Sequence, residues 1–463
     1  MGVNVVVMAA GQGTRMRSKR PKVLHVLGGR QLLQHVLGAV AALGATRTVV
    51  VTGHGAEAVE RSVQHAPGLA FVRQEPQLGT GHALQQAAPL LDDDGTTLVL
   101  SGDVPLIEAT TLRALVEACA GERLALLTIE LADPRGYGRV VRKPAGAARE
   151  AISAIVEEKD ASAEVRALRE VYTGVMAAPT RRLKRWLQAL RNDNAAREYY
   201  LTDVVGIAVG EGIDVVAVAA QSETEVLGVN SPAQLADLER RRQRATAARL
   251  MAEGVRIADP ERFDVRGELR CGRDVEIDVG CIFEGTVELG QDVRVGAYCM
   301  LRNARVAAGA TIRPYTLIDG EALGASVGER ALVGPFARLR GGADLGADVH
   351  VGNFVEIKNA TLAAGAKANH LAYLGDATVG ERVNFGAGSI TANYDGAHKH
   401  HTTIGADAHI GSNCVLVAPV TIGDGATIGG GSTIAKDAPA GQLTVARARQ
   451  ASLPGWKRPT KQR

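Results

Sequence analysis

The sequence predicts two different folds joined in one chain. A Rossmann-like α/β domain with a mostly parallel sheet comes first, then a linking helix, then a left-handed parallel β-helix of hexapeptide repeats. Three observations carry this. Short apolar runs alternate with amphipathic helical stretches through the first half, the pattern of a parallel sheet covered by helices. A polar, Ala- and Arg-rich stretch with few apolar anchors follows. From about Gly267 to Ala440 an aliphatic residue then recurs at every sixth position, a period that fits neither an α-helix nor simple strand alternation.

In chain order, the strand candidates are Val3–Ala9, Thr48–Val51, Leu69–Val72, Thr97–Leu100 and Leu124–Leu131, with helical patterns at Leu32–Ala42 and Ala83–Leu91 between them. The first domain is expected to span 1–230. Ser231-Pro232 reads as an N-cap with proline at the first helical position, and Gly254 as the stop, which gives a linker helix over 231–253. The remainder, 254–463, carries the repeats. One series is Val327, Val333, Leu339, Leu345, Val351 and Ile357, and another is Ile404, Ile410, Leu416, Ile422, Ile428 and Ile434. Each hexapeptide makes one short strand and one corner, and three close a triangular coil. Lys367–Tyr373 and Asn393–His401 interrupt the period or place polar residues inside it. An interruption that a repeat does not need marks a candidate site.

Composition narrows the function classes. A net charge of +3 over 463 residues gives no reason to expect nucleic acid or a membrane surface as partner. No apolar run reaches the ~18 residues of a membrane span, and the apolar Met1–Ala10 reads as a core strand rather than a signal peptide. The five cysteines, Cys119, Cys271, Cys281, Cys299 and Cys414, show no CxxC spacing, which points to free thiols in a reducing compartment. Aromatic residues are only 3%, as expected if much of the chain packs small aliphatic side chains repetitively.

The first strand runs into Ala9-Ala10-Gly11-Gln12-Gly13-Thr14-Arg15-Met16, with Pro21-Lys22 shortly after. Glycines there let backbone N–H groups approach a phosphate, and Arg15 and Lys22 add positive charge. The string lacks the third glycine of a dinucleotide fingerprint and the Gly-Lys-Ser/Thr of a P-loop, so both are excluded. Ser101-Gly102-Asp103 ends another strand, and a carboxylate in that position suits a Mg²⁺ ion that fills its remaining positions with phosphates and water. Gln74 and Gly79-Thr80-Gly81-His82 form a second polar loop, suited to a base edge.

The strings AAGQGTRM, RPKVLH, QLGTGHA, SGDVPL, GYGR, IVEEKDA, EYYLTD and GVN resemble, in order, the first domain of the bifunctional bacterial enzyme that makes UDP-N-acetylglucosamine. That family fuses an N-acetylglucosamine-1-phosphate uridylyltransferase to a glucosamine-1-phosphate N-acetyltransferase. The resemblance implies a nucleotidyltransferase site for UTP and N-acetylglucosamine-1-phosphate, with uridine on Met8, Ala9, Ala10, Gly11, Gln74, Gly79 and Thr80. It implies triphosphate contacts and catalytic charge at Arg15 and Lys22, with Ser101 and Gly102 beside Asp103. Sugar contacts fall at Gly138 and Glu157, and Mg²⁺ on Asp103 and Asn230. Tyr172 stands where the family usually has an asparagine that touches the sugar. In-line displacement at the α-phosphorus needs positioning and charge neutralisation but no protein nucleophile.

The second half resembles the same family through GPFARLR, VGNFVEIK, KANHLAYLGD, NFGAG, TANYDG, IGSN and LVAPVTIG. The resemblance implies His370 as general base, since a neutral imidazole can take the proton of an attacking sugar amine. Arg340 and Lys358 fall on the sugar phosphate of glucosamine-1-phosphate, and Tyr373 and Asn384 on the sugar. Ala387, Asn393, Tyr394, Ser412, Gly430 and Arg447 fall on acetyl-CoA, with Ser412 in an oxyanion role. Gly430 replaces a usual alanine and Asn369 a usual glycine. The basic tail from Arg447 to Arg463, with Trp456, lies in the family near a neighbouring subunit's cofactor site. The resemblance therefore implies a cytoplasmic homotrimer that supplies peptidoglycan and lipopolysaccharide synthesis. The alternatives are a single-activity sugar-1-phosphate nucleotidyltransferase with a scaffold β-helix, against which His370, Lys358 and Arg340 stand, and a non-catalytic assembly protein, which would not need Arg15, Lys22 and Asp103.

Overall fold

The structure is a computed structural model that describes residues 2–66, 68–143, 151–459 and 461. Met1 of the expected first strand and Thr460, Gln462 and Arg463 of the basic tail lie outside the described residues.

The first apolar run forms the central strand β1 (Gly2–Ala9) of a nine-stranded sheet. The others are β2 (Arg47–Thr52), β3 (Leu69–Arg73), β4 (Gly95–Ser101), β5 (Leu124–Glu130), β6 (Gly138–Arg142), β7 (Ile152–Val156), β8 (Glu170–Pro179) and β9 (Val215–Ala219). The main order is β9-β5-β8-β4-β1-β2-β3. β1 runs parallel to β2 and β4, β2 to β3, and β5 to β9, while β8 lies antiparallel between β4 and β5. Both faces of the sheet are buried, which is why its central strands are continuously apolar rather than alternating. Val6, Val49, Val51 and Val99 face one core with Leu84, Leu183 and Trp186. Val5, Val7, Val50, Leu98 and Leu100 face the other with Leu33, Val36, Leu112 and Leu115. The five strand candidates of the sequence correspond to β1–β5. The sequence reading placed no strand at β6–β9: in β6, β7 and β9 half-exposed residues dilute the apolar pattern, whereas β8 is buried along most of its length and was missed all the same.

The linking helix spans Pro232–Ala252, and Gly254 after it has φ +96°. The two compact units of the chain, Met1–Arg242 and Gln243–Arg463, meet inside this helix. Leu238 in its first half packs with Met16, Leu27, Leu32 and Val229. Ala247 and Leu250 in its second half join the core of the second unit. Between them Gln243 is fully buried, and its amide exchanges hydrogen bonds with the backbone of Val265 at 2.8 and 2.9 Å.

The second unit is a parallel β-helix. Its strands begin at Arg256–Ile257, earlier than the expected Gly267, and continue to Leu443–Thr444. Phe263 pairs with Cys281 and Glu276 with Arg294, each three hexapeptides on. The two aliphatic series point inward and are at most 2% exposed. Lys367–Tyr373 is not an extruded interruption: Lys367–His370 is a regular strand paired with His350–Asn353, and Ala368 and Leu374 keep the inward positions. Its polar residues project from an unbroken coil. Asn393–His401 does leave the coil, closing on an antiparallel bridge between Tyr394 and Lys399. On one edge Tyr298, Tyr315, Phe336 and Phe354 stack ring on ring at 5.2–5.4 Å, all about half exposed and at positive φ.

Among the described residues no helix is long and apolar enough to cross a membrane. The five cysteines are free.

Candidate active sites

In a parallel sheet, ligand sites form beyond the carboxyl ends of the strands. A cavity of about 290 Å³ opens there, at the ends of β1, β3 and β4. Met8, Ala9, Ala10, Gly11, Lys22, Gln74, Gly79, Thr80, Ser101 and Asp103 line it, joined by Val23, Gln77, Ala83 and Glu198. Gly102 supports this floor, its N–H donating to the Met8 carbonyl at 2.9 Å. Gln74 is 3% exposed and its amide nitrogen donates to the Gly79 carbonyl at 2.9 Å. Lys22 reaches the centre. Its ammonium contacts the Asp103 carboxylate and donates to Asn230 Oδ1 at 3.1 Å. Ser101 Oγ donates to the other Asp103 oxygen at 2.7 Å. Two hard oxygens, from Asp103 and Asn230, thus converge on one cation, a donor set that fits a Mg²⁺ ion holding one or two protein oxygens. Arg15 sits apart, exposed in the short turn Thr14–Met16 that follows Gly13.

Gly138, Glu157 and Tyr172 form a second group that does not line this cavity. Gly138 and Tyr172 are paired across β6 and β8. Glu157 follows β7 and accepts the Thr202 hydroxyl at 3.0 Å. Burial holds its carboxyl above the usual glutamate range. Tyr172 is buried in an apolar cluster, and its hydroxyl has no hydrogen-bond partner among the described residues. Burial, then the neighbouring Glu157 charge, pushes this phenol above the usual tyrosine value. The segment Glu198–Thr202 ties the two groups together. Glu198 lines the cavity, Tyr199 exchanges backbone hydrogen bonds with Leu78 and Gly81, Leu201 N–H donates to Thr80 Oγ1 at 3.1 Å, and Thr202 holds Glu157.

In the second unit the coils stack His370 into a column with the residues expected at the cofactor. Gly388 N–H donates to the His370 carbonyl at 3.1 Å, Asn413 N–H to the Ala387 carbonyl at 2.8 Å, and Gly431 N–H to the Ser412 carbonyl at 2.8 Å. His370, Ala387 and Ser412 therefore follow one another up one edge. Arg447 adds its guanidinium, which donates to the Gly430 carbonyl at 2.6 Å. On this edge the aromatic stack ends at Phe354, and Leu371, Gly388, Asn413 and Gly431 follow at positive φ without rings.

A second cluster gathers cations. Arg340 and Lys358 stand on strands Arg338–Arg340 and Glu356–Leu362, which pair directly. Arg340 bonds Glu356 at 3.1 Å, yet its buried Nε–H has no partner among the described residues. The Lys399 ammonium beside Lys358, with Arg340, holds Lys358 below the usual lysine value. Three cations crowded at one place are an anion site in waiting. Lys358 pairs with Gly375, and a side chain at Gly375 would meet the Tyr373 hydroxyl at 2.2 Å and the Asn393 amide at 2.8 Å. Tyr373 and Asn393 thus converge where Gly375 leaves room. Asp376, 8% exposed, fixes Asn393 by accepting from its amide and from Asn359 at 2.6 Å. Asn384 lies elsewhere on its coil, 3.4 Å from His409, and Tyr394 is 61% exposed with its hydroxyl bonded within its own loop.

Sequence reasoning missed Lys399, Thr202, Glu198 and Gln77. The EYYLTD string carried Glu198 and Thr202 without showing what they touch. Lys399 falls inside the Asn393–His401 interruption, and only its place beside Lys358 singles it out.

The model of the MobA-like NTP transferase domain matches residues 5–201, and that of the bacterial transferase hexapeptide, six repeats, matches residues 401–436. Among curated relatives, the bifunctional protein GlmU of Methylibium petroleiphilum is 71% identical over 464 residues, covering 100% of both chains. The proteins of that name from Acidovorax sp. and Polaromonas naphthalenivorans are each 64% identical, over 99% of this chain and 99% and 98% of theirs.

Proposed function

The chain belongs to the family of the bifunctional GlmU proteins, and from that membership we propose that it makes UDP-N-acetylglucosamine in two steps, one in each unit. In the second unit the amine of glucosamine-1-phosphate attacks the thioester carbonyl of acetyl-CoA. The C–N bond forms, the C–S bond breaks, His370 takes the amine proton, and coenzyme A leaves as the thiol. Arg340, Lys358 and Lys399 hold the sugar phosphate, Tyr373 and Asn393 the sugar and the acetyl group, and Ala387, Ser412, Gly430 and Arg447 the cofactor. Ser412 would donate to the carbonyl oxygen as it gains charge.

In the first unit a phosphate oxygen of N-acetylglucosamine-1-phosphate attacks the α-phosphorus of UTP, and pyrophosphate leaves. Met8–Gly11, Gln74, Gly79 and Thr80 hold the nucleotide, and Glu157 with Gly138 and Tyr172 the sugar. Lys22 and Arg15 neutralise the phosphates. Asp103 and Asn230 would hold Mg²⁺, which would supply charge neutralisation to the phosphates. Lys22, whose ammonium lies against Asp103 and Asn230, would add its own charge at the phosphates.

The same reading makes the chain a cytoplasmic homotrimer, supported by its free thiols and by the exposed aromatic edge of the β-helix, of the composition that interfaces favour. The observation that carries the two-activity reading over a scaffold β-helix is the edge on which His370 climbs into Ala387 and Ser412, with a cation cluster on the same coils. The test runs the half-reactions apart. Thiol release from acetyl-CoA with glucosamine-1-phosphate, and pyrophosphate release from UTP with N-acetylglucosamine-1-phosphate and Mg²⁺, are both expected. Pyrophosphate without any thiol would leave a one-activity nucleotidyltransferase.

A further inference from the structure

We propose that Asn353 is a positioning residue for acetyl transfer: it orients His370 and fixes its tautomer. The inference rests on His370 being the base. His370 ends strand Lys367–His370, and Asn353 ends the strand one coil earlier, paired with it residue for residue. Asn353 Oδ1 lies 2.8 Å from His370 Nδ1. The backbone repeats the link, since Leu371 N–H donates to the Asn353 carbonyl at 3.1 Å. The two coils are drawn close at this point because residue 352 is glycine. A Cβ there would sit 1.9 Å from the Asn369 carbonyl oxygen, so only a bare backbone lets Asn353 and His370 meet in this register.

A carboxamide oxygen accepts and cannot donate. Nδ1 must therefore carry the proton when this bond is made, which leaves the Nε2 lone pair free to accept one. An imidazole on an exposed edge, as His370 is, otherwise exchanges tautomers and rotamers, and part of its population presents N–H to the amine instead of a lone pair. The general requirement is that a base be held in turn by a third group. Here that group is neutral: it directs the proton without adding charge beside the base. Asn353 touches neither reacting atom and acts through His370 alone.

The test compares Asn353→Leu, Asn353→Asp and His370→Ala in the full chain, with thiol release and pyrophosphate release read on each preparation. Asn353→Leu is expected to lower kcat for acetyl transfer by about 10–100-fold, part of the 10²–10⁴ that a placed base contributes, with KM for both substrates and the uridylyl rate unchanged. Asn353→Asp keeps an acceptor and adds charge. It is expected to recover most of kcat and to shift the acid limb of its pH profile upward, because a carboxylate favours the imidazolium. Loss of kcat in both variants alike, or unchanged kcat in Asn353→Leu beside a dead His370→Ala, would overturn the positioning role and leave His370 as base. Full acetyl transfer by His370→Ala would overturn both.

Discussion

Glu157 carries a cost in the folded chain that its place in the first unit explains. Burial raises its carboxyl, and Thr202 offsets only part of this. A raised carboxyl favours the protonated form in the folded state. Its cost is therefore absent below the unfolded pKa, appears as pH rises toward the folded pKa, and is full above it. Glu157→Gln is expected to raise the melting temperature at neutral pH, with the gain vanishing on acidification. It should also raise KM for N-acetylglucosamine-1-phosphate, a stability–function exchange common at binding sites. Equal melting temperatures at all pH values would contradict this. In the second unit the depressed Lys358 leads to a different expectation. As pH rises, affinity for glucosamine-1-phosphate should fall earlier than an ordinary lysine would allow. Lys399→Gln should weaken binding near neutrality yet move that fall to higher pH, because the first cause of the depression is gone. An unmoved alkaline limb in binding titrations would remove Lys399 from the site. The sequence made Lys22, Asp103 and Gln74 legible because each lies in a dense local string beside a strand end. Asn353, Thr202 and Lys399 were not legible, because each acts on a residue far along the chain that folding alone brings near. Tyr172 was visible as a departure, but the burial of its hydroxyl was not.

At the scale of elements, the loop Asn393–His401 is organised by one side chain. The Asp395 carboxylate accepts from the Ala397 and His398 N–H groups at 2.8 and 2.7 Å and from His400 at 2.7 Å. Those bonds hold its carboxyl far below the usual range. This shape sets Lys399 beside Lys358. Asp395→Ala is expected to raise KM for glucosamine-1-phosphate several-fold, about 1 kcal/mol for the loss of a local hydrogen-bonded anchor, with uridylyl transfer intact. An unchanged KM would mean that the loop keeps its shape without Asp395. The six-residue period gave away nearly all the strands of the β-helix, because each coil buries one aliphatic residue per face and any lapse would open the core. It misled at Lys367–Tyr373, where polar side chains point out of an unbroken coil and only look like an interruption. The first unit was less legible: β8 enters the sheet antiparallel between two sequence-distant strands, a pairing that no local pattern encodes.

At the scale of the whole molecule, two units with separate cores are proposed to carry one half-reaction each. Each candidate site as described is built from residues of one unit, and the product of one reaction is the substrate of the next. The most direct test mixes two inactive chains. Asp103→Ala should lose uridylyl transfer by about 100-fold or more and keep acetyl transfer. His370→Ala should do the reverse by a similar factor. Given glucosamine-1-phosphate, acetyl-CoA, UTP and Mg²⁺, each variant alone should form little UDP-N-acetylglucosamine, and the mixture should form it readily as the intermediate passes from one chain to the other. A mixture no more active than its parts, or a single substitution that abolishes both half-reactions in a folded chain, would contradict the account.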